Sequence, residues 1–519
     1  MDTSTLKRFA QSARTSLYDQ VKVRLRAILN EASLERRDSP DAVKALSDDI
    51  AKYGEDVITE RTAYTWFNRF CALRFMDANN YHVSPVVSPL PDQTQPSILA
   101  DAKAGSIDAR MVSDDTRQKV NGLLSQRISS NDPQGDAYRC LLIAVCNYWH
   151  KRMPFLFNRI DDYTGLLMPG NLLAANSILS ETCSAMTKEA CQDVEVIGWL
   201  YQFYISEKKD AVFEGFKKNV KATPETIPAA TQLFTPHWIV QYLVENSLGR
   251  LWMLNHPNSS LVNQMQYYIA PEEPETDFLK ITSPEEIKIC DPACGSGHML
   301  TYAFDLLHAI YEEQGYDPAQ IPSLILTRNL YGIEIDKRAG ELASLALTMK
   351  ARSKNRLFFE QGIQPNICVL EKIAFDDNEL DEYMSRVGRD LFTSNLRTAL
   401  TQFEEADNFG ALIQPALTDI DPVKERLHET DISGDLLIKS THDRVLTVLE
   451  QCEYLKQKYH VVIANPPYMG GRNMNGRLSS FAKDHFPDSK SDLYAMFIER
   501  CGKLAKKACL VGMISMQSW

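Results

Sequence analysis

The sequence predicts an α/β protein: a Rossmann-like, mostly parallel doubly wound sheet preceded by an α-helical domain. Three observations carry this. Residues 1 to about 225 place apolar side chains at helical spacing with almost no strand pattern. From residue 287 onward, short apolar strands alternate with amphipathic helices, the rhythm of βαβ units. Two of those strands stop abruptly, one in DPACGSG at Asp291–Gly297 and one in NPPY at Asn465–Tyr468. Strand ends in open α/β sheets are where ligands bind.

The elements follow in order. Residues 1–37 set Leu6, Phe9, Leu17, Val21, Leu25 and Ile28 against Lys7, Arg8, Arg14, Lys22, Arg24 and Arg26, a helix with one positive face. That face is either solvated or a contact for a DNA backbone or a partner. Ile58–Asn79 reads as a strong helix, with Tyr64, Phe67, Phe70, Cys71, Arg74 and Phe75 recurring at three and four, a stripe that belongs to a core. A loop with four prolines among Ser84–Pro96 follows, then buried helices at Tyr138–Trp149 and Val194–Ser206. Two prolines in Thr223–Pro228 mark a boundary, giving domains 1–225 and 226–519.

In the second domain, Gln232–Pro236 is a turn before a helix at Trp238–Leu248, and residues 252–284 are a polar insertion. Strands are expected at Ile287–Cys290, Leu330–Ile335, Asn366–Leu370, Tyr459–Ala464 and Ala508–Ser515. Helices are expected at Leu300–Glu313, Lys337–Arg352 and Asp492–Lys503, and residues 371–455 break the rhythm as an insertion.

Composition narrows the function classes. At 519 residues, 44% hydrophobic and 24% charged, the chain can bury full cores in several domains. A net charge of −12 argues against wholesale wrapping of nucleic acid but leaves room for a local basic groove. Eleven dispersed cysteines without a CxxC pair suggest neither a metal site nor a disulfide framework. With no apolar signal region after Met1 and no run of membrane-spanning length, the expectation is a cytoplasmic protein without a membrane partner.

The chemistry lies in the combination of motifs. Gly295 and Gly297 give a backbone that bends sharply and admits a ligand closely, but Leu300 stands where the dinucleotide fingerprint needs its third glycine. Asp291 beside that loop suits a ligand ammonium better than a pyrophosphate, which prefers bare amides. Glu334, at the next strand end, can accept two ribose hydroxyls. A ligand that is both nucleoside and amino acid is S-adenosylmethionine. In NPPY, Pro466 and Pro467 hold Asn465 and Tyr468 in a stiff exposed turn. The Asn465 side-chain oxygen and the Pro466 carbonyl can accept from a conjugated amino group, favouring its nucleophilic form and the positive charge that grows on it. Tyr468 offers a face to a planar base swung out of a duplex.

This constellation resembles the gamma-order adenine-N6 DNA methyltransferases, in which a Phe-Thr-Pro element precedes the glycine loop and NPPY comes later. Phe234-Thr235-Pro236, Asp291–Gly297 and Asn465–Tyr468 stand in that order here. The resemblance implies that Phe234, Thr235 and Pro236 lie at the cofactor, with Thr235 and Pro236 against its methionine moiety. It implies that Asp291, Pro292, Ala293, Gly295 and Gly297 bind the cofactor and that Glu334 holds its ribose. It also implies that Leu493 and Tyr494 border its adenine, that Asn465, Pro466, Pro467 and Tyr468 are catalytic, and that no metal takes part. At the third strand the match reaches only Asn366–Cys368.

With TERTAYTWFNRFCALRFMDAN, QLFTP, YGIEIDKRA and NPPYMGGRNMN, the layout is similar to the PglX-type methyltransferases of BREX phage-defence systems. That implies methylation of a host site in double-stranded DNA as a self mark, with other BREX proteins as partners. Those relatives continue far beyond this length. The expectation is therefore a chain truncated before its target-recognition domain, silent on duplex DNA by itself and left with an open apolar edge at its fifth strand. The competing readings are the modification part of a restriction-modification enzyme, an RNA or protein-glutamine N-methyltransferase, and a non-catalytic scaffold keeping a cofactor pocket. A nuclease carboxylate cluster ending in E-x-K is not evident in residues 1–225.

Overall fold

The computed structural model describes residues 3–91, 93–388, 395–417, 419–430 and 436–517. Its contacts divide the chain into two compact units. One is residues 1–207 with 359–362, and the other is residues 208–358 with 363–519. Among the described residues no helix is long and apolar enough to cross a membrane.

The first unit is helical. Helix Thr3–Leu29 buries Leu6, Phe9, Leu17, Val21, Leu25 and Ile28, the six apolar positions that the spacing picks out. Its positive face is a row of ion pairs: Arg14 with Glu60, Lys22 with Asp56, Arg24 with Glu35 and Arg26 with Glu55. The acids come from the same unit, so much of this face is committed internally. Helix Glu55–Ala78 carries the aromatic stripe into the core. Its Phe67 ring lies 4.5 Å from Tyr204 and 5.9 Å from Phe9, and Tyr64 meets Tyr204 edge-on at 4.9 Å. At the end of that helix the buried Asp77 carboxylate accepts the Val86, Val87 and Ser88 backbone N–H groups and is 2.6 Å from His82 Nδ1. One carboxylate thereby pins the start of the proline-rich loop.

The second unit holds a five-stranded, all-parallel sheet: β1 (Ile289–Asp291), β2 (Leu330–Glu334), β3 (Asn366–Val369), β4 (Tyr459–Ala464) and β5 (Ala505–Met513). Their spatial order is β3-β2-β1-β4-β5, so the strand order reverses between β1 and β4. Registers Ile289↔Val461 and Cys290↔Val462 bring the ends of β1 and β4 to the same edge of the sheet. β1 and β4 are buried throughout, as central parallel strands must be, whereas β5 is half exposed along its length. Helices His298–Glu313, Lys337–Lys354 and Leu493–Leu504 stand where the periodicity expects them.

Residues between β3 and β4 are the crossover that carries the chain from the sheet's edge back past β1. Their helices Asp377–Val387 and Leu396–Gln402 put Leu380, Tyr383, Leu396 and Leu400 into one apolar core with Cys290, Ile333 and Val462 of the strands. The acidic sequence there hides a set of buried faces. The predicted helix at Trp238–Leu248 begins at His237, passes through a π-helical turn at Glu245–Gly249 and runs on to Asn255. At that turn the buried Glu245 carboxylate accepts from the Tyr302 hydroxyl at 2.6 Å, fixing this helix to the one after the glycine loop.

Candidate active site

The site forms at the carboxyl ends of β1, β2 and β4, beside the point where strand order reverses, the position at which open α/β sheets bind ligands. Each strand end contributes one polar group.

After β1 the chain turns through Gly295 (φ +54°) and Gly297 (φ +80°), left-handed conformations that side chains resist. A Cβ on Gly297 would lie 3.0 Å from that of Ala343, so this glycine permits the loop to seat on helix Lys337–Lys354. Gly295 differs: no atom lies within 4 Å of where its Cβ would be, and the space beside it is open. The loop is stitched to β2 by Cys294 N–H donating to the Ile333 carbonyl at 3.0 Å and Gly295 N–H to the Glu334 carboxylate at 2.7 Å.

Two carboxylates face this loop. Asp291 is buried, 2% exposed, and its Oδ1 accepts from Ala293 N–H at 3.1 Å. Burial pushes its carboxyl up to about 8, the Ala293 bond opposes that, and the charge of Glu334 adds to it. Burial likewise lifts Glu334 to about 7 against the pull of its backbone hydrogen bonds. Among the described residues neither forms an ion pair, so the site holds anionic capacity with no internal cation. Glu334 is more committed than its sequence position suggests. Oε1 accepts from Ile335 and Asp336 N–H, both at 2.9 Å, and Oε2 accepts from Gly295. A carboxylate offers about four lone-pair positions, which leaves roughly one, on Oε2, rather than the two acceptor oxygens that a bidentate ribose contact uses.

After β4, the Asn465 side-chain amide donates through Nδ2 to the Thr235 hydroxyl at 3.0 Å, while its Oδ1 is buried with no hydrogen-bond partner. Pro466 is buried and Pro467 half-buried. Tyr468 is half-buried, donates its hydroxyl to the Ile514 carbonyl at 2.8 Å, and lies 5.7 Å from the Tyr494 ring. The turn is fastened behind by Asp492, which accepts Met469 N–H at 3.1 Å and Tyr494 N–H at 3.2 Å while capping helix Leu493–Leu504.

The structure therefore gathers Thr235, Asp291, Gly295, Glu334, Asn465 and Tyr468 on adjoining strand ends. Phe234 meets His298, the first residue of the helix after the glycine loop, edge-on at 4.3 Å, and the Pro236 carbonyl starts helix His237–Val244. Leu493 and Tyr494 are buried behind Tyr468. Asn366–Cys368 does not reach the site's edge of the sheet. Asn366 pairs with Tyr331 at the start of β2, and the strand's site-facing end is Val369, followed by Leu370, whose N–H donates to the Glu334 carbonyl at 2.7 Å. Sequence reasoning missed Asp492, whose only signal is an acid before an amphipathic helix. It also missed the Tyr468 tether to Ile514, which has no local signal at all.

A parallel sheet reversing beside β1, a glycine loop with a buried acid, and a proline-stiffened asparagine after β4 make a Rossmann-like domain with a candidate ligand site at its strand ends. Residues 328–519 match the family described as Eco57I restriction-modification methylase, and residues 279–372 match the DNA-methyltransferase domain of MmeI. Over its whole length the chain is 38% identical to "Adenine-specific methyltransferase BrxX" of Escherichia coli O9:H4 (strain HS) and 31% identical to "Adenine-specific methyltransferase PglX" of Lacticaseibacillus casei (strain Zhang). The resemblance to PglX-type methyltransferases is borne out. The chain spans about half of those relatives, 47% of each. A solved structure of the Type IIL restriction-modification enzyme MmeI in complex with DNA aligns with 96% of this chain and 48% of its own, at 12% identity and a TM-score of 0.36.

Proposed function

We propose that this protein transfers a methyl group from S-adenosylmethionine to the N6 amino group of adenine in DNA, site-specifically, as the self mark of a BREX-type phage-defence system in the cytoplasm. The observation that carries the reading is Asn465: an acceptor oxygen, buried and unpartnered, at the strand end beside the glycine loop. A buried carbonyl oxygen left without a donor is costly, and a site that keeps one suits a ligand N–H.

The residues fit the cofactor. Its ammonium and sulfonium charges would relieve Asp291 and Glu334, two carboxylates that burial holds near neutrality, and Gly295 leaves room for its approach. Bound there, S-adenosylmethionine supplies an electrophilic methyl group. Asp291 would hold the ammonium, and the free Oε2 position of Glu334 would take one ribose hydroxyl. Phe234 and Pro236 would wall the methionine side. Asn465 Oδ1, with the Pro466 carbonyl, would accept the N–H bonds of the adenine amino group, drawing its lone pair out of conjugation and stabilising the cation that forms. The ring of Tyr468, with its hydroxyl fastened to Ile514, would stack on the extruded base. Double-stranded DNA and other BREX proteins are the partners this reading names.

The modification part of a restriction-modification enzyme would use the same residues in the same roles, and the Eco57I family description favours that setting. Incubating the protein with labelled S-adenosylmethionine and adenine-containing duplex, RNA or glutamine peptide tests the chemistry. Label recovered as N6-methyladenine in DNA supports this reading, and its appearance in duplex would overturn the expectation that this length of chain is silent on duplex DNA by itself. Label in RNA or peptide only would overturn the reading.

A further inference from the structure

We propose that Asp492 is a positioning residue that holds the NPPY turn in place by anchoring the chain immediately after Tyr468. This rests on the adenine-amino reading above and deepens it, naming what keeps the base-facing ring at its station.

Chain segments are tied down largely through their backbone N–H groups. Pro466 and Pro467 have none, and among the described residues the Tyr468 N–H forms no hydrogen bond. The first N–H after the prolines to find a partner is that of Met469, and its acceptor is Asp492 Oδ1 at 3.1 Å. A backbone N–H can only donate, so the direction of this bond is unambiguous. The Met469 carbonyl is held too, accepting from Leu493 N–H at 3.1 Å. Both backbone groups of this buried residue are therefore engaged by the start of helix Leu493–Leu504.

Two further features separate this from an ordinary helix cap. Capping needs only the bond from Tyr494 N–H, which reaches the same Oδ1 at 3.2 Å; the bond from Met469 goes beyond it. Past Met469 the chain also leaves on an excursion, residues 472–491, that carries helix Gly476–His485. The two limbs of the excursion meet at its base, where Gly470 bridges Asp492 and Gly471 N–H donates to the Ser491 carbonyl at 2.8 Å. Asp492 stands on the returning limb, and its carboxylate ties the outgoing limb beside Tyr468. The Tyr468 ring is fixed at its far end by the hydroxyl bond to Ile514 at 2.8 Å. Anchoring the chain at its near end leaves the ring little freedom between the two. A displacement of about 1 Å at a reacting centre can cost about a hundredfold in rate, so such support is part of the site.

The test compares Asp492→Ser with Asp492→Asn. Serine still caps a helix, but its oxygen stands one bond closer to the backbone, short of Met469. Asparagine keeps an acceptor at full reach, and because both partners donate, the amide presents its oxygen to them. The first readout is hydrogen exchange of the Met469 N–H in protein labelled with 15N-methionine, assigned by its loss in Met469→Leu. Protection is expected in wild type and Asp492→Asn and is lost in Asp492→Ser, while the amides of Leu493–Leu504 stay protected in all three. The second readout is methyl transfer at saturating S-adenosylmethionine and adenine-containing oligonucleotide. There kcat of Asp492→Ser falls about 10–100-fold, the asparagine variant stays within about threefold, and cofactor Kd, by calorimetry, stays within about twofold. Unchanged Met469 protection in Asp492→Ser overturns the proposal, and so does lost protection with kcat intact. A weakened cofactor Kd with kcat intact also overturns it, leaving Asp492 as a cap alone. No transfer by wild type to any adenine would sink the methylation reading, and Met469 exchange by itself then decides whether the anchor exists.

Discussion

Asp291 should make the ligand-free protein less stable at the pH where it binds best. Its carboxyl, ordinarily near 3.8, is raised to about 8 because burial disfavours the charge. A folded value above the unfolded one contributes stability below about pH 4, and that contribution is lost as pH rises through about 8. Each unit corresponds to about 1.4 kcal/mol, so holding this group costs on the order of 5 kcal/mol at pH 8. Asp291→Asn removes the ionisation while its Oδ1 can still accept from Ala293 N–H. The new NH2 group lacks a partner and costs about 1–3 kcal/mol. The variant should therefore be more stable than wild type by about 2–4 kcal/mol at pH 8 and less stable by about 1–3 kcal/mol at pH 4. Its affinity for S-adenosylmethionine should fall about 10–100-fold, the worth of one charge-assisted hydrogen bond. Calorimetric unfolding at the two pH values, with cofactor titrations on the same samples, reads both effects. A variant that is destabilised equally at both pH values, or that binds cofactor like wild type, would refute the idea of a buried acid waiting for a cation.

Three further outcomes are expected. Glu334→Gln should weaken cofactor binding about tenfold, while Glu334→Ala, which strips the acceptors from Gly295, Ile335 and Asp336 N–H, should also lower the melting temperature. Calorimetry separates the two variants, and equal stability would mean that water replaces the carboxylate. Asn465→Ala should retain cofactor affinity and lose methyl transfer by about 2.7–4 kcal/mol, the usual worth of such a preorganised contact, read as N6-methyladenine by mass spectrometry. Tyr468→Phe should keep stacking and lose only the bond to Ile514, costing about 0.5–1.5 kcal/mol of stability, whereas Tyr468→Ala should lose transfer. Equal activity of the phenylalanine and alanine variants would remove the ring from the mechanism.

Local pattern was enough for the parts of this protein whose causes are local. Helical spacing alone marked the buried face of Thr3–Leu29, because a 3.6-residue period maps a sequence stripe onto one side. An apolar run, interrupted by His460 and bounded by Asn-Pro-Pro, marked β4 at Tyr459–Ala464, and glycines with a following helix marked the loop after β1. That Asp291, Glu334 and Asn465 stand at strand ends was legible too, since strand ends are visible as stops in apolar runs. What the sequence left open were relations between distant segments. Acidic surface positions concealed the buried faces of the β3–β4 crossover, since exposed residues dominate composition while burial depends on packing partners. Three backbone N–H groups, one of them from another loop, decide how much of Glu334 is free. The Asn465 amide is hydrogen-bonded to a hydroxyl 230 residues away. A hydrogen bond depends on distance and direction in space, and only the fold brings Thr235 and Asn465 within reach.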